Sequence, residues 1–179
     1  HIEPDFQEDR LSVFKTSMNF DELMFLSTCN RVEFTFTTSE NVDSTFLQKF
    51  FDSLYPNLTE FERQTFATNA STFSGLEAVE HQLSVASSVD SMIVGEREII
   101  TQVRSAYESC LKMGLTGDLI RIIMRHTIET AKKVYTNTNI AKRPVSVVSL
   151  AYHKLRDMDV PLDSRILIVG AGITNNNMS

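Results

Sequence analysis

A cysteine followed two residues later by an arginine is the sharpest chemical feature of this chain, in the segment Ser27-Thr28-Cys29-Asn30-Arg31. The segment is polar and closes an apolar run, so Cys29 stands outside any core stripe. In an extended backbone alternate side chains share a face, which would put Cys29 and Arg31 on one side. A guanidinium there favours thiolate over thiol, and the thiolate is the nucleophile. The same arginine can grip a carboxylate through two parallel hydrogen bonds. On these residues alone two readings stay open: a nucleophile with an anion-binding neighbour, or a structural cysteine beside a surface arginine. The second cysteine, Cys110, falls on the stripe Ile99, Val103, Ala106, Cys110 and Met113 and reads as core packing.

His81 is the second candidate. Ser74-Gly75-Leu76-Glu77 matches a capping box, in which serine and glutamate satisfy each other's backbone donors at the start of a helix. In that helix Leu76, Val79, Leu83 and Ala86 make the apolar stripe. His81 falls roughly opposite, with Ser84 and Ser88, facing either a cleft or bulk water. His126 lies on the inner face of a later helix and reads as a core histidine. The polar stretch Ser87-Ser88-Val89-Asp90-Ser91-Met92-Ile93-Val94-Gly95-Glu96 bridges two helices, where loops on rigid elements often carry binding groups. No CxxC or Cys/His metal spacing occurs, so no metal is expected.

Near the C-terminus, an apolar strand over residues 165–169 runs into Gly170-Ala171-Gly172-Ile173-Thr174-Asn175. Glycines after a strand permit the tight turn and the close backbone approach that a dinucleotide pyrophosphate needs. Asn175 stands where the third glycine belongs. Only nine residues follow Gly170, whereas a βαβ unit needs about 30. The chain is therefore expected to stop inside a second domain, without a complete dinucleotide site. It also opens at His1 without Met and is expected to be a piece of a longer protein.

These residues need a scaffold, and the pattern supplies one. Residues 23–26 are an apolar run, and Val32, Phe34 and Phe36 alternate with polar residues, which predicts two strands or one bent strand. Phe46, Leu47, Phe50, Phe51 and Leu54 fit one helical face, stopped by Pro56. Residues 57–73 are mixed, with a short strand expected around 66–73. The stripe through Cys110 predicts a helix ending at Gly114. Another helix is expected over 117–136 through Leu119, Ile122, Ile123, Ala131 and Val134, and a short one over 146–155. Residues 158–163, with Pro161, read as a loop.

Charge is uneven. The net charge is −6, but residues 1–62 hold 4 basic and 12 acidic side chains, while residues 121–156 hold 8 basic ones against Glu129 alone. That asymmetry suits either an anionic partner for the second region or a solvated helix face. The composition, 42% hydrophobic and 22% charged, excludes a disordered or disulfide-dense chain. No apolar run is long enough to span a membrane. Two free thiols point to a reducing cytoplasm.

In combination these segments resemble glutamyl-tRNA reductase. The matching stretches are Ser27-Thr28-Cys29-Asn30-Arg31, His81 with Val85-Ala86-Ser87, Asp90-Ser91-Met92-Ile93-Val94-Gly95-Glu96, Gln102-Val103, Ala131-Lys132-Lys133-Val134, Ser146-Val147-Val148-Ser149 and Gly170-Ala171-Gly172, in the family's order. The resemblance implies that Cys29 attacks the ester of glutamyl-tRNA to form a thioester, which NADPH then reduces to glutamate-1-semialdehyde, the first step of tetrapyrrole synthesis from glutamate. It implies that Thr28, Asn30 and Arg31 frame the glutamyl group and that His81 serves as a polarising or acid/base group. Ser91, Glu96, Arg97, Glu98 and Gln102 match substrate-contact positions, although the family usually reads Glu-Pro-Gln where this chain reads Glu96-Arg97-Glu98. Gly170, Ala171, Gly172, Ile173, Thr174 and Asn175 match the NADP phosphate loop. The implied fold is α+β: an antiparallel sheet with packed helices, ferredoxin-like, over residues 1–142, then a linker helix and a truncated Rossmann-type start over 143–179. The family's first strand and most of its NADPH domain are absent from this chain. Implied partners are glutamyl-tRNA, a second copy of the full-length protein and glutamate-1-semialdehyde aminotransferase. The competing classes are a non-catalytic tRNA- or protein-binding module and a thiol redox sensor.

Overall fold

The structure is a computed structural model that describes residues 7–91, 94–96, 98–140 and 147–158, with positions 161, 164, 165 and 167. Among these, a two-stranded antiparallel sheet is joined by seven helices: α1 Gln7–Ser17, β1 Leu23–Ser27, β2 Val32–Phe36, α2 Ser44–Leu54, α3 Glu60–Asn69, α4 Gly75–Ala86, α5 Glu98–Lys112, α6 Asp118–Asn137 and α7 Val147–Asp157. The α+β class therefore holds for the described residues. The expected strand at 165–169 and the loop Gly170 to Asn175 lie outside them, apart from Arg165 and Leu167, which stand in no strand.

The hairpin is the centre of the fold. Leu23 pairs with Phe36 and Phe25 with Phe34 across it. Leu23, Met24, Phe25 and Leu26 are all buried, because both faces of β1 are covered. The outer edge of β1 is covered as well. Leu23 N–H donates to the Leu115 carbonyl at 2.9 Å, and Phe25 N–H donates to Cys110 Sγ at 3.3 Å. An edge satisfied in this way offers no template for a foreign strand.

An aromatic cluster fills one face of the hairpin. Phe50 lies 4.8 Å from Phe14, 5.2 Å from Phe34 and 5.9 Å from Phe36, centroid to centroid. Phe14 comes from α1, which the sequence reading did not anticipate. That helix buries Leu11 and Phe14, and Met18 just beyond its end is buried too, the three spaced three and four residues apart. Its cap lies at Asn19, whose φ of 52° is the left-handed conformation that asparagine tolerates. Helix α2 forms as its stripe predicts, with Phe46, Phe50 and Leu54 buried and the Asp43 carboxylate accepting from Phe46 N–H at 2.9 Å.

Three expectations need correction. The segment expected as a strand around 66–73 is helical through Asn69 and irregular beyond it. Its signal was Thr59 and Glu62, which form a complete capping box. In α4 the Ser74 side chain makes no cap bond, and Gly75 adopts φ +55°. The buried face of α4 is Gln82, Val85 and Ala86, while Leu76 is 74% exposed. In α6 the buried stripe is Ile120, Met124, Thr127 and Ala131. Leu119 and Ile122 face solvent, and His126 is exposed rather than a core histidine. That helix carries apolar residues on two faces, so periodicity alone could not select the one that packs.

Position is decided there by a distant carboxylate. Glu22, just before β1, accepts from the N–H groups of Gly117, Leu119 and Ile120 at 3.0, 3.0 and 2.7 Å. A negative charge on otherwise unpaired N–H groups at a helix N-terminus is favourable on both hydrogen-bonding and dipole grounds. This bond set seats α6, which packs on α4 and α5. Helix α5 keeps its predicted stripe, with Ile99, Val103 and Cys110 buried, and ends at Gly114 with φ +68°. Burial pushes the Cys110 thiol pKa up, as expected for a core residue.

Candidate active site

The turn between β1 and β2 carries Cys29 at its tip. Thr28 N–H donates to the Arg31 carbonyl at 2.9 Å, and Thr28 Oγ1 accepts from the N–H groups of Asn30 and Arg31 at 3.2 Å each. The threonine hydroxyl therefore builds the turn. Cys29 and Asn30 are exposed at its apex. The segment is a tight turn, not an extended strand, so the expected side-by-side arrangement of Cys29 and Arg31 is not how it forms.

Arg31 reaches backwards instead. Its Nη1 lies 2.9 Å from Glu33 Oε1 and 3.4 Å from Asp90 Oδ2, and its Nη2 donates to the Asp90 carbonyl. Glu33 Oε1 is shared, because His81 Nε2 lies 3.0 Å from it, and His81 Nδ1 lies 3.7 Å from Asp90 Oδ2. Arg31, Glu33, His81 and Asp90 are thus one polar cluster joining hairpin, α4 and the loop after α4. His81 is half-buried against β2, not turned to bulk water. Its companion Gln82 donates to Thr35 Oγ1 at 3.0 Å and holds this side of α4 to the sheet.

The loop after α4 is closed on itself. Ser88 takes φ 56° and is fully buried, and Gly95 N–H donates to its carbonyl and hydroxyl, both at 3.1 Å. Gly95 itself has φ 86°. Tyr135 Oη donates to the Glu96 carbonyl at 2.9 Å and ties the loop exit to α6.

These elements border a small, open cleft. The turn lines it with Thr28, Cys29, Asn30 and Arg31. The loop contributes Ser91 and Glu96, and the first turn of α5 contributes Glu98, Ile99 and Gln102. Every predicted catalytic or substrate residue within the described part converges here except His81, which stands behind Arg31. Arg97 and the six predicted cofactor residues lie outside the described residues. Sequence reasoning missed Glu33, Asp90 and Ile99. Glu33 looked like an ordinary outward strand residue, and its only signal is its place two residues after Arg31. Ile99 was assigned to the core stripe, which its burial justifies, yet it also forms cleft wall.

Chemically the cleft offers one exposed thiol, hydroxyl and amide donors, a guanidinium held by two carboxylates, and two further carboxylates at Glu96 and Glu98. An exposed thiol among hydroxyl and amide donors can act as a sulfur nucleophile.

Comparison with known proteins places the chain among relatives of one family. The family model described as glutamyl-tRNAGlu reductase, N-terminal domain, matches residues 2–138. Glutamyl-tRNA reductase of Syntrophus aciditrophicus is 37% identical over 152 residues, covering 84% of this chain and 36% of that protein. The enzyme of Sulfolobus acidocaldarius is 35% identical over 153 residues, covering 84% and 35%. In three dimensions the chain is similar to glutamyl-tRNA reductase from Methanopyrus kandleri, with a TM-score of 0.66 at 25% identity, covering 88% of this chain and 35% of that one.

Proposed function

Since the chain belongs to the glutamyl-tRNA reductase family through its N-terminal domain, we propose that it carries the acyl-transfer half of that reaction, with Cys29 as nucleophile. The chain spans about a third of the length of the curated relatives it matches, so activity, substrate and partners are proposed for the longer protein. Cys29 Sγ bonds to the ester carbonyl carbon of glutamyl-tRNA, the bond to the ribose oxygen breaks, and the thiol proton ends on the released tRNA hydroxyl. The ester is already activated, so no nucleotide triphosphate is needed. Arg31 binds the glutamyl carboxylate. Thr28, Asn30 and Ser91 hold the acyl group, with Glu96, Glu98 and Gln102 around its amine and the tRNA end. His81 supplies acid/base or polarising help through the cluster it shares with Arg31.

The observation that carries this reading is the convergence of three separate segments, 28–31, 91–96 and 98–102, on one cleft around an exposed cysteine. Exposed Arg121, Arg125, Lys132 and Lys133 on α6 form a landing surface for tRNA phosphates. NADPH, the reductant that the family resemblance implies, supplies hydride when bound. The described cleft has no glycine-rich cradle that fits a pyrophosphate, and Gly170, Ala171, Gly172, Ile173, Thr174 and Asn175, which the resemblance assigns to it, lie outside the described residues. For the longer protein we also propose the ferredoxin-like sheet, the Rossmann-type domain, a homodimer, contact with glutamate-1-semialdehyde aminotransferase and a place in the cytoplasm at the start of tetrapyrrole synthesis. Among the described residues no helix is long and apolar enough to cross a membrane.

The test is direct. Glutamyl-tRNA labelled in the glutamyl group is mixed with protein without NADPH. We expect loss of charging and a labelled thioester on Cys29, and neither with Cys29→Ser. A serine variant that still discharges the tRNA would refute Cys29 as nucleophile. An ester left intact on bound tRNA would make the chain a binding module.

A further inference from the structure

Phe73 occupies an unusual place. It lies in the irregular segment between α3 and α4, is 48% exposed, and yet stacks on the imidazole of His81 with ring centroids 4.3 Å apart and planes 12° from parallel. Among the described rings it stacks on no other. An aromatic ring left half in water is not placed there by core burial. The chain is bent to bring it there. Gly75 has φ +55°, and nothing lies within 4 Å of where its Cβ would be, so the glycine serves conformation rather than space. The turn lets the preceding segment run back along α4 until Phe73 meets His81, eight residues further on.

The histidine needs such a contact. Rotation about the second side-chain torsion of histidine is broad and weakly held, so ring orientation must come from partners. Glu33 and Asp90 approach the two ring nitrogens at 3.0 and 3.7 Å. They hold the ring at its edge, and Phe73 adds a contact on its face that restricts tilt further. We propose that Phe73 is a positioning residue that holds the His81 imidazole in register with Glu33, and through Glu33 with Arg31. The proposal rests on the reading of His81 as an acid/base or polarising group.

The test uses the full-length protein and single-turnover acylation by glutamyl-tRNA. Phe73→Leu should slow acylation roughly threefold to tenfold with substrate affinity nearly unchanged, the size expected for one aromatic contact. Phe73→Tyr should restore the rate. In the double variant with His81→Asn, Phe73→Leu should cost nothing further. Phe61→Leu, at a site 79% exposed on α3, is the control that leaves the rate alone. The proton resonances of the His81 ring report the stack without activity. They should move downfield in Phe73→Leu, as the ring current is lost, and stay in place in Phe73→Tyr. Equal losses from Phe73→Leu with and without His81 would overturn the positioning role, as would an unchanged rate where His81→Asn is slow. An unchanged rate in His81→Asn would instead sink the catalytic reading of His81 and remove Phe73 from the reaction, while the resonance shift still decides whether the stack forms.

Discussion

Cys29 and Cys110 are the same residue type with opposite fates. Cys29 sits at a turn apex in water, whereas Cys110 is 1% exposed with its thiol against the backbone of β1. Brief treatment with iodoacetamide should label Cys29 and spare Cys110 until the protein unfolds, as peptide mapping would show. Cys110 also carries a pH dependence. Its folded pKa is raised, so its contribution to stability is intact below the ordinary thiol value and is lost as pH rises toward the higher folded value. Cys110→Ala should remove that alkaline slope in denaturant titrations across pH, while lowering stability at neutral pH by about 1 kcal/mol through the lost packing. Arg31 makes a sharper residue-scale prediction. Its Nη1 meets the Glu33 and Asp90 carboxylates while its Nη2 donates to the Asp90 carbonyl, a two-nitrogen geometry that the single ammonium of lysine cannot reproduce. Arg31→Lys should weaken acylation by about tenfold or more in single-turnover kinetics.

At the scale of elements, the seat of α6 is the point of leverage. Glu22 caps that helix across 95 or more residues of sequence, and α6 in turn supports both α4 and the loop exit at Glu96. Glu22→Ala should cost about 2 kcal/mol, seen as a lower midpoint in urea, because three helix N–H groups lose a charged acceptor. Gly117→Ala should destabilise by the same route, since its Cβ would come within 2.7 Å of the capping oxygen. On the outer face of α6, Arg121, Arg125 and Lys132 fall along one line of the helix. Replacing Arg125 and Lys132 with glutamine should weaken tRNA binding and flatten its salt dependence, leaving the fold intact. The elements themselves were unequally legible. Helix α5 is legible because its buried residues fall on the predicted stripe, and α2 because a single apolar stripe is stopped by Pro56. Helix α3 was missed because it buries nothing, and so lacks the periodic signal by which helices are recognised; its capping box was the remaining clue.

On the scale of the molecule, the aromatic cluster joins α1, the hairpin and α2 into one body beneath the site. Phe50 is its hub and is 6% exposed. Phe50→Ala should cost about 3–5 kcal/mol, measurable by thermal or chemical denaturation, since large-to-small changes leave a cavity as well as losing burial. The cluster also sets the base of the turn that holds Cys29, so the same variant should slow acylation in proportion to the folded fraction.

Residue type and short spacing mark Cys29 with Arg31 and the serine-rich loop as candidates, while Glu96, Glu98 and Gln102 are marked only by the family resemblance, which is itself carried by the sequence. What tertiary structure alone decided are the partners that span long stretches of chain. Arg31 meets Asp90, 59 residues on; His81 faces Glu33 rather than solvent; Glu22 caps α6. The reason is physical. Periodicity reports that a helix has an apolar face, but when two faces are apolar, or one is polar and buried, only the bonds and packing of the assembled fold select between them.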